Sequence, residues 1–522
     1  MPVRLAFGTA GIRAPLGDGD DQLNLRTMRA VAYAVLSHVA DLHPDNTRRG
    51  ICVAYDGRTQ SRAFAQEACE VALALGFMVR AFETPEPTPL LAFCTRRHGS
   101  AAGLMITASH NPPSDNGVKV YLEGGAQIRA PHDGAIAKRL ARIDSADAIP
   151  KLSPADAPGR YRPLRQEDKL AYVDAVRKLA PYRPSRADAQ LPRIAHTALC
   201  GVGGPLARLL LKESGAVEVV YVDTQESPRA DFGGLSYPNP ESDGALLALR
   251  QLAEAEQAAI GFAHDPDADR LAVLARDRSG TLQTLSGDDV GALLGYYLLE
   301  HEERPAQALM VSTFVSGGCL EALCLARGAR FARTHTGFKW IAGRAHELSA
   351  AHGLRFVLGY EEAIGYAFGA LGDDKDGLAA MYVLCALART LQSRALCFTD
   401  LLDQLANEFG VYRSQQVTVP VAAAGGARAL FERVRAMSPD QLLGPGARQV
   451  DTGQAPDAPP LLVLEQEPSI RLCVRPSGTE PKLKLYLHGH APVTSSARLS
   501  ATRDEVDQHL SSLAARLRTL LV

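Results

Sequence analysis

The sequence predicts an α/β protein: three related α/β domains followed by a smaller α+β domain. Three observations carry this. A strand–helix–strand plan recurs three times, a glycine closes the helix of each copy, and the pattern changes to alternating strands after residue 411. In the first copy the strand is "GICVAYDGR" (50–58), the helix "SRAFAQEACEVALALG" (61–76) and the second strand "FMVRAFET" (77–84). The second copy runs "RIAHTALCGVGG" (193–204), "PLARLLLKESG" (205–215) and "VEVVYVDT" (217–224). The third runs "QALMVSTFVSG" (307–317), "GCLEALCLARG" (318–328) and "ARFARTHTG" (329–337). Gly76, Gly215 and Gly328 are suited to left-handed C-caps, and the flanking apolar runs suit buried parallel strands. In the tail, "FGVYRSQQVTVPV" (409–421) precedes two alternating strands around a turn-rich loop in "SIRLCVRPSGTEPKLKLYLHG" (469–489). An amphipathic helix, "DEVDQHLSSLAARLRTLL", follows.

Bulk properties bound the function. At 522 residues the chain exceeds what one hydrophobic core supports, so two to four domains are expected. Linker compositions divide it at 1–180, 190–301, 305–411 and 412–522. A net charge of −2 with 22% charged residues gives no general affinity for nucleic acid, so any phosphate affinity must be local. The nine cysteines are scattered without a C-x-x-C pair, against a zinc or redox centre. The opening residues lack an apolar leader and no apolar run approaches ~18 residues, so a cytoplasmic protein with no membrane partner is expected.

Four segments can carry chemistry. In "HDPDADRLAVLA" (264–275) Asp265, Asp267 and Asp269 alternate, so an extended loop would project their carboxylates one way. Clustered carboxylates repel unless neutralised, and hard oxygen ligands suit Mg²⁺. A calcium EF-hand loop is excluded by Arg270 and Arg276 where glycine and glutamate are required. An aspartyl-phosphate enzyme built on Asp265, or a merely solvated acidic turn, stays open. "RPSGTEPKLK" (475–484) offers hydroxyls, backbone N–H groups and cations suited to a phosphate dianion, or it is a decorated hairpin turn. In "TASHNPPSDNGVKV" Ser109 ends an apolar strand beside His110, but no G-x-S-x-G elbow points to acyl transfer. "LGYEEAIGY" (358–366) and "HTGFKWIAGR" (335–344) carry paired glutamates, Lys339 and the sole tryptophan, types that suit sugar hydroxyls and sugar faces but also ordinary surface.

Together these segments resemble the α-D-phosphohexomutase family of phosphoglucomutases and phosphomannomutases. "FGTAGIRAPLG" (7–17) is similar to its opening phosphate-contacting loop, "TASHNP" to the phosphoserine loop, and "DPDADR" to the magnesium loop. "GYEEAIGY" is similar to the sugar-binding loop and "RPSGTEPK" to the C-terminal phosphate loop. The resemblance implies four domains around a central cleft, three α/β and one α+β, bearing these loops in order. It implies that phospho-Ser109 donates to and regains phosphate from the sugar, with Mg²⁺ held by Asp265, Asp267, Asp269 and a Ser109 phosphate oxygen. His110 and Lys119 become the groups for proton transfer or charge stabilisation, with Arg13 and Arg270 near the phosphoserine. Lys339 and Glu361 would bind the sugar, and Arg475, Ser477, Gly478 and Thr479 the phosphate that is not reacting.

The implied activity is interconversion of hexose 1-phosphate and hexose 6-phosphate, with glucose 1,6-bisphosphate as activator and a monomer or homodimer as the working species. Ala363 and Gly365 depart from the family's usual Gly-Glu-x-Ser-Gly-His sugar loop. With "DDKDG" (373–377) and "TGFKWI", they resemble a phosphoglucomutase and phosphopentomutase subgroup instead. That favours glucose, keeps pentose phosphates and a glucose 1,6-bisphosphate synthase open, and disfavours mannose. Two further readings are weaker. Asp269 stands where an aspartyl-phosphate enzyme needs threonine or valine, and retention of every named group argues against a catalytically silent binder. Cys200 stands where many relatives have histidine, a change without a mechanistic account.

Overall fold

The computed structural model describes residues 3–5, 7, 11–180, 191–216, 218–421, 426–453, 458–467, 469–477 and 481–521. The chain forms two compact units. One comprises Met1–Val290 with Phe356–Cys397, and the other Gly291–Arg355 with Phe398–Val522.

The three copies expected from the sequence are present as parallel strand pairs. Ile51–Tyr55 pairs with Val79–Ala81, Ile194–Thr197 with Val219–Tyr221, and Ala308–Thr313 with Arg330–Thr334. The intervening helices are Ser61–Ala74, Gly204–Glu213 and Cys319–Ala326, each a little shorter than its apolar stretch. Gly76, Gly215 and Gly328 all adopt positive φ (+88°, +78° and +73°), the left-handed stop that lets the chain reverse into the next strand. The leading strand of each copy is buried along its whole length, which accounts for its unbroken apolar composition.

In the first unit a six-stranded sheet is ordered Gly11–Pro15, Asp115–Leu122, Ala102–Ile106, Ile51–Tyr55, Val79–Ala81, Tyr161–Pro163. Its first two strands run antiparallel to their neighbours, and the remainder are parallel. A five-stranded sheet follows, ordered Leu282–Leu285, Leu271–Arg276, Ile260–His264, Ile194–Thr197, Val219–Tyr221. The antiparallel hairpin Arg355–Glu361 and Gly365–Phe368 leads into the helix Gly377–Gln392. In the second unit the tail forms a five-stranded antiparallel sheet containing Val411–Pro420, Lys482–Ala491 and Ile470–Pro476 in adjacent positions. The closing helix spans Leu499–Leu521, longer than its sequence signature. It packs Val506, Leu510, Leu513 and Leu517 into the core of this sheet. Among the described residues no helix is long and apolar enough to cross a membrane.

Asp376 ties the helix Gly377–Gln392 to Tyr172 on the helix Gln166–Arg177. Its carboxylate accepts from Ala379 N (2.8 Å) to cap the helix Gly377–Gln392, and from the Tyr172 hydroxyl (2.8 Å). Burial pushes this carboxyl up to about 6, whereas an unfolded aspartate titrates near 3.9. A raised folded-state pKa contributes stability that is fully present below the unfolded value and lost as the pH rises through about 6. Asp376→Asn keeps an acceptor for both donors. It should therefore flatten the fall in stability between about pH 4 and 6 by an amount on the order of 2–3 kcal/mol, read from urea unfolding across that range.

Candidate active site

The site grows from the carboxyl ends of parallel strands, where α/β sheets present their loops. Strand Ala102–Ile106 delivers Thr107 and Ser109. Thr107 Oγ1 accepts the Ser109 N–H (2.9 Å), and Ser109 sits at φ +53°, a left-handed conformation costly for a non-glycine residue. That turn aims the hydroxyl at the second sheet: Ser109 Oγ donates to Asp265 Oδ2 at 2.9 Å and lies 3.3 Å from His110 Nδ1. Both residues are buried. Burial first, then the guanidinium groups of Arg270 and Arg13, hold His110 well below the usual imidazole range, so it is neutral at pH 7.

Strand Ile260–His264 ends in the aspartate loop. The loop is a turn and not the extended segment expected from the alternating aspartates. Ala268 N donates to Asp265 O (2.9 Å), Arg270 N to Asp265 Oδ1 (3.1 Å), and Ala268 takes φ +56°. The turn still makes the carboxylates converge, with one oxygen from each of Asp265, Asp267 and Asp269 within 4.8 Å of the others and all three side chains buried. Lys119 Nζ donates to Asp267 Oδ2 (2.5 Å) and Asp269 Oδ2 (2.6 Å), Lys375 Nζ lies 3.1 Å from Asp269 Oδ2, and the Thr88 hydroxyl donates to Asp267. Burial would raise Asp269, but Lys119 and Lys375 outweigh it and hold the carboxyl well below its ordinary range. Burial and then the Asp269 charge push Asp265 and Asp267 upwards.

Three carboxylates crowd against the ammonium groups of Lys119 and Lys375, and two of their oxygens are left over. Asp267 Oδ1 and Asp269 Oδ1 are buried without a hydrogen-bond partner. Orphaned carboxylate oxygens in an all-oxygen cluster fit a hard divalent cation such as Mg²⁺.

Around this centre Arg270 pairs with Glu241 (2.7 Å) and bridges to Gly365, while Leu271 N donates to Ile364 O (3.1 Å). The 361–365 turn, and with it buried Glu361, is thereby brought beside the aspartate loop. Arg13 donates to Asn111 Oδ1 (3.1 Å) on the Ser109 loop. The structure thus assembles Ser109, His110, Lys119, Arg13, Arg270, Glu361 and the three aspartates. Lys339, Arg475 and Ser477 belong to the other compact unit, where Ser477 N donates to Lys482 O (2.9 Å) and the Arg475 Nε is buried. Gly478, Thr479 and residues 8–10 of the opening loop lie outside the described residues. The Cys200 thiol donates to the Thr224 carbonyl (3.5 Å), and nothing in the structure gives it a chemical role.

Sequence reasoning missed Lys375, Thr88 and Arg58. In the sequence "DDKDG" carries only a subgroup resemblance. Its signal lies in Gly377, where a Cβ would come within 2.4 Å of the Arg270 carbonyl oxygen. That close approach seats Lys375 on Asp269, and Asp374 accepts from Tyr121 Oη (2.7 Å) and Gln127 Nε2 (2.7 Å).

Phosphoglucomutase/phosphomannomutase α/β/α domain models I, II and III match residues 4–147, 171–280 and 286–408. A phosphopentomutase of Pongo abelii is 31% identical over 94% of this chain and 86% of its own length. A probable phosphomannomutase of Haemophilus influenzae is 34% identical over 88% and 92%. A glucose 1,6-bisphosphate synthase of Mus musculus is 32% identical over 92% and 83%. A phosphoglucomutase/phosphomannomutase family protein of Burkholderia thailandensis shares the fold with a TM-score of 0.72 at 23% identity, covering 98% of each chain.

Removing one carboxylate from the cluster should weaken a divalent cation's hold. Asp267→Asn is expected to lower Mg²⁺ affinity by at least about tenfold, measured by calorimetric titration, and to shrink the Mg²⁺-induced rise in melting temperature.

Proposed function

Because the chain belongs to the phosphoglucomutase/phosphomannomutase family, we propose that this sugar-phosphate mutase interconverts hexose 1-phosphate and hexose 6-phosphate, glucose foremost, through phospho-Ser109. The observation that carries the reading is the Ser109 hydroxyl held 2.9 Å from Asp265, inside the buried carboxylate cluster.

Asp265, Asp267 and Asp269 would hold Mg²⁺ together with a phosphate oxygen on Ser109. The ion, when bound, supplies Lewis-acid neutralisation of the phosphoryl oxygens. The chain's own residues do the rest. A free sugar hydroxyl attacks the phosphorus of phospho-Ser109, a new P–O bond forms to the sugar, and the bond to Ser109 Oγ breaks. The proton of the attacking hydroxyl must leave. His110, buried and neutral and 3.3 Å from Ser109 Oγ, suits the group that takes this proton and returns it to the departing Ser109 oxygen, whereas Lys119, kept protonated despite its burial by Asp267 and Asp269, suits charge stabilisation. The sugar bisphosphate then turns round, and Ser109 regains phosphate from the other end. Phosphoryl transfer depends mainly on positioning and charge neutralisation, and a buried serine limits loss of the phosphoryl group to water. Glu361 and Lys339 would hold the sugar, and Arg475, Ser477, Gly478 and Thr479 the distal phosphate, with glucose 1,6-bisphosphate as activator.

Glucose rests on the sugar loop "GYEEAIGY" with "DDKDG". The same features, and relatives named phosphopentomutase and glucose 1,6-bisphosphate synthase, support a pentose phosphate substrate or a bisphosphate synthase as the second reading.

Phosphorus NMR decides among these. Glucose, mannose, N-acetylglucosamine and ribose 1-phosphates would each be incubated with Mg²⁺ and a trace of glucose 1,6-bisphosphate. Fast conversion of glucose 1-phosphate is expected, a ribose preference would make the protein a phosphopentomutase, and no conversion at all would sink the mutase reading. Ser109→Ala should cut turnover more than about 1,000-fold while sugar-phosphate binding survives, and activity above about a tenth of normal would overturn the phosphoserine mechanism. Arg475→Ala should raise KM with kcat within about threefold of wild type, because a clamp on the distal phosphate acts in ground and transition states alike.

A further inference from the structure

We propose that Arg58 is a positioning residue for phosphoryl transfer, the fastener that keeps the Ser109 hydroxyl aimed at the metal-binding cluster. The inference rests on the mutase reading for its kinetic consequence and on the structure alone for its mechanical one.

Arg58 follows strand Ile51–Tyr55, and its side chain is inaccessible to solvent. Nη2 donates to the carbonyls of Ser109 (2.6 Å) and Asn111 (2.7 Å), and Nη1 to those of Pro112 (2.8 Å) and Asp115 (2.9 Å). One planar group therefore collects four carbonyl oxygens from a seven-residue stretch of the reactive loop. Those carbonyls can converge on one buried point only because a cation stands there with a donor for each.

The fastener is itself held. Arg58 Nε lies 3.2 Å from Asp56 Oδ2, and Asp56 Oδ1 accepts from Ser61 Oγ (2.6 Å) and Arg58 N (3.0 Å). The Phe232 ring lies under the guanidinium, with its centroid 4.7 Å from the central carbon. Gly57 lets the turn close on this support, since a Cβ there would come within 2.8 Å of Pro228 Cβ. The four Nη hydrogens are committed to backbone carbonyls, and Nε, buried without a hydrogen-bond partner, lies against Asp56, so Arg58 turns no Nη donor toward a phosphate. Its part is to hold Ser109 in its left-handed conformation, where Oγ meets Asp265.

Two measurements on the full chain test this, using Arg58→Lys and Arg58→Ala. The first is amide hydrogen exchange without substrate. Exchange across 109–116 should quicken at least about tenfold in both variants, while strand Ile260–His264 keeps its protection. The second is steady-state turnover of whichever sugar 1-phosphate the wild type isomerises. Loss of alignment should lower kcat about 100-fold with KM within about threefold, and added methylguanidinium should restore at least about tenfold to Arg58→Ala. A residue that only stabilised the fold would show neither the kcat-only loss nor the rescue.

A kcat within about threefold of wild type, a KM rise that accounts for the loss, or unchanged loop exchange overturns the proposal. Should Arg58→Ala fail to fold, Arg58→Lys decides, because lysine keeps the charge but not the fork. Should the wild type isomerise no sugar phosphate, the function proposed above falls, and loop exchange alone decides the role of Arg58.

Discussion

Three buried carboxylates within 4.8 Å of one another are the constraint around which the first unit is arranged. At an effective dielectric near 20, each pair within that separation costs at least about 3.5 kcal/mol if both are ionised. Two lysines from distant parts of the chain, Lys119 and Lys375, come to the cluster to offset that cost. Their arrival dictates local structure. Gly377 is bare because the start of the helix that follows Lys375 abuts the Arg270 carbonyl, and Gly201 is bare because a Cβ would come within 2.4 Å of the Pro266 Cα. Ser109, Ala268 and Ile364 all take left-handed backbones beside the cluster. Strain and charge are thus concentrated where the chemistry would occur, and the regular strands beneath them hold both in place.

The fold was legible in the sequence wherever local rules decide. Buried parallel strands are written as unbroken apolar runs, and Gly76, Gly215 and Gly328 end helices by a conformation that glycine adopts without penalty. Ser109, His110 and the aspartates were legible as residue types in order. Their geometry was not: alternation suggested an extended aspartate loop, whereas Asp265 closes a turn through hydrogen bonds to Ala268 and Arg270 that no periodicity reveals. Lys375, Thr88 and Arg58 went unseen because each acts on residues tens to hundreds of positions away. A lysine in "DDKDG" or an arginine in "AYDGR" carries no mark of its distant partner.

The guanidinium that gathers carbonyls recurs in the second unit. Arg333 donates to the carbonyls of Thr313 (3.2 Å), Ser316 (3.2 Å) and Gly317 (3.4 Å) while pairing with Glu321 (2.7 Å). It secures the loop after strand Ala308–Thr313 as Arg58 secures the loop after strand Ala102–Ile106. In both places an irregular loop leaves a parallel strand with its carbonyls turned inward. Arginine, with five fixed donors, satisfies such a loop more completely than any other side chain.

Lys119 stands ten positions after Ser109, on a strand in which Lys119 lies opposite both Met105 and Gly11. Its neighbours Val118 and Val120 point the other way, into the hydrophobic core, while Tyr121 reaches Asp374 from the same face. Because strand faces alternate with period two, one residue inserted or deleted within the strand between Asp115 and Lys119 would send the ammonium into the core and a valine onto the carboxylates. The interval therefore behaves like a reading frame. Its length is a counted quantity, and evolution can change it only together with the register of the whole sheet edge.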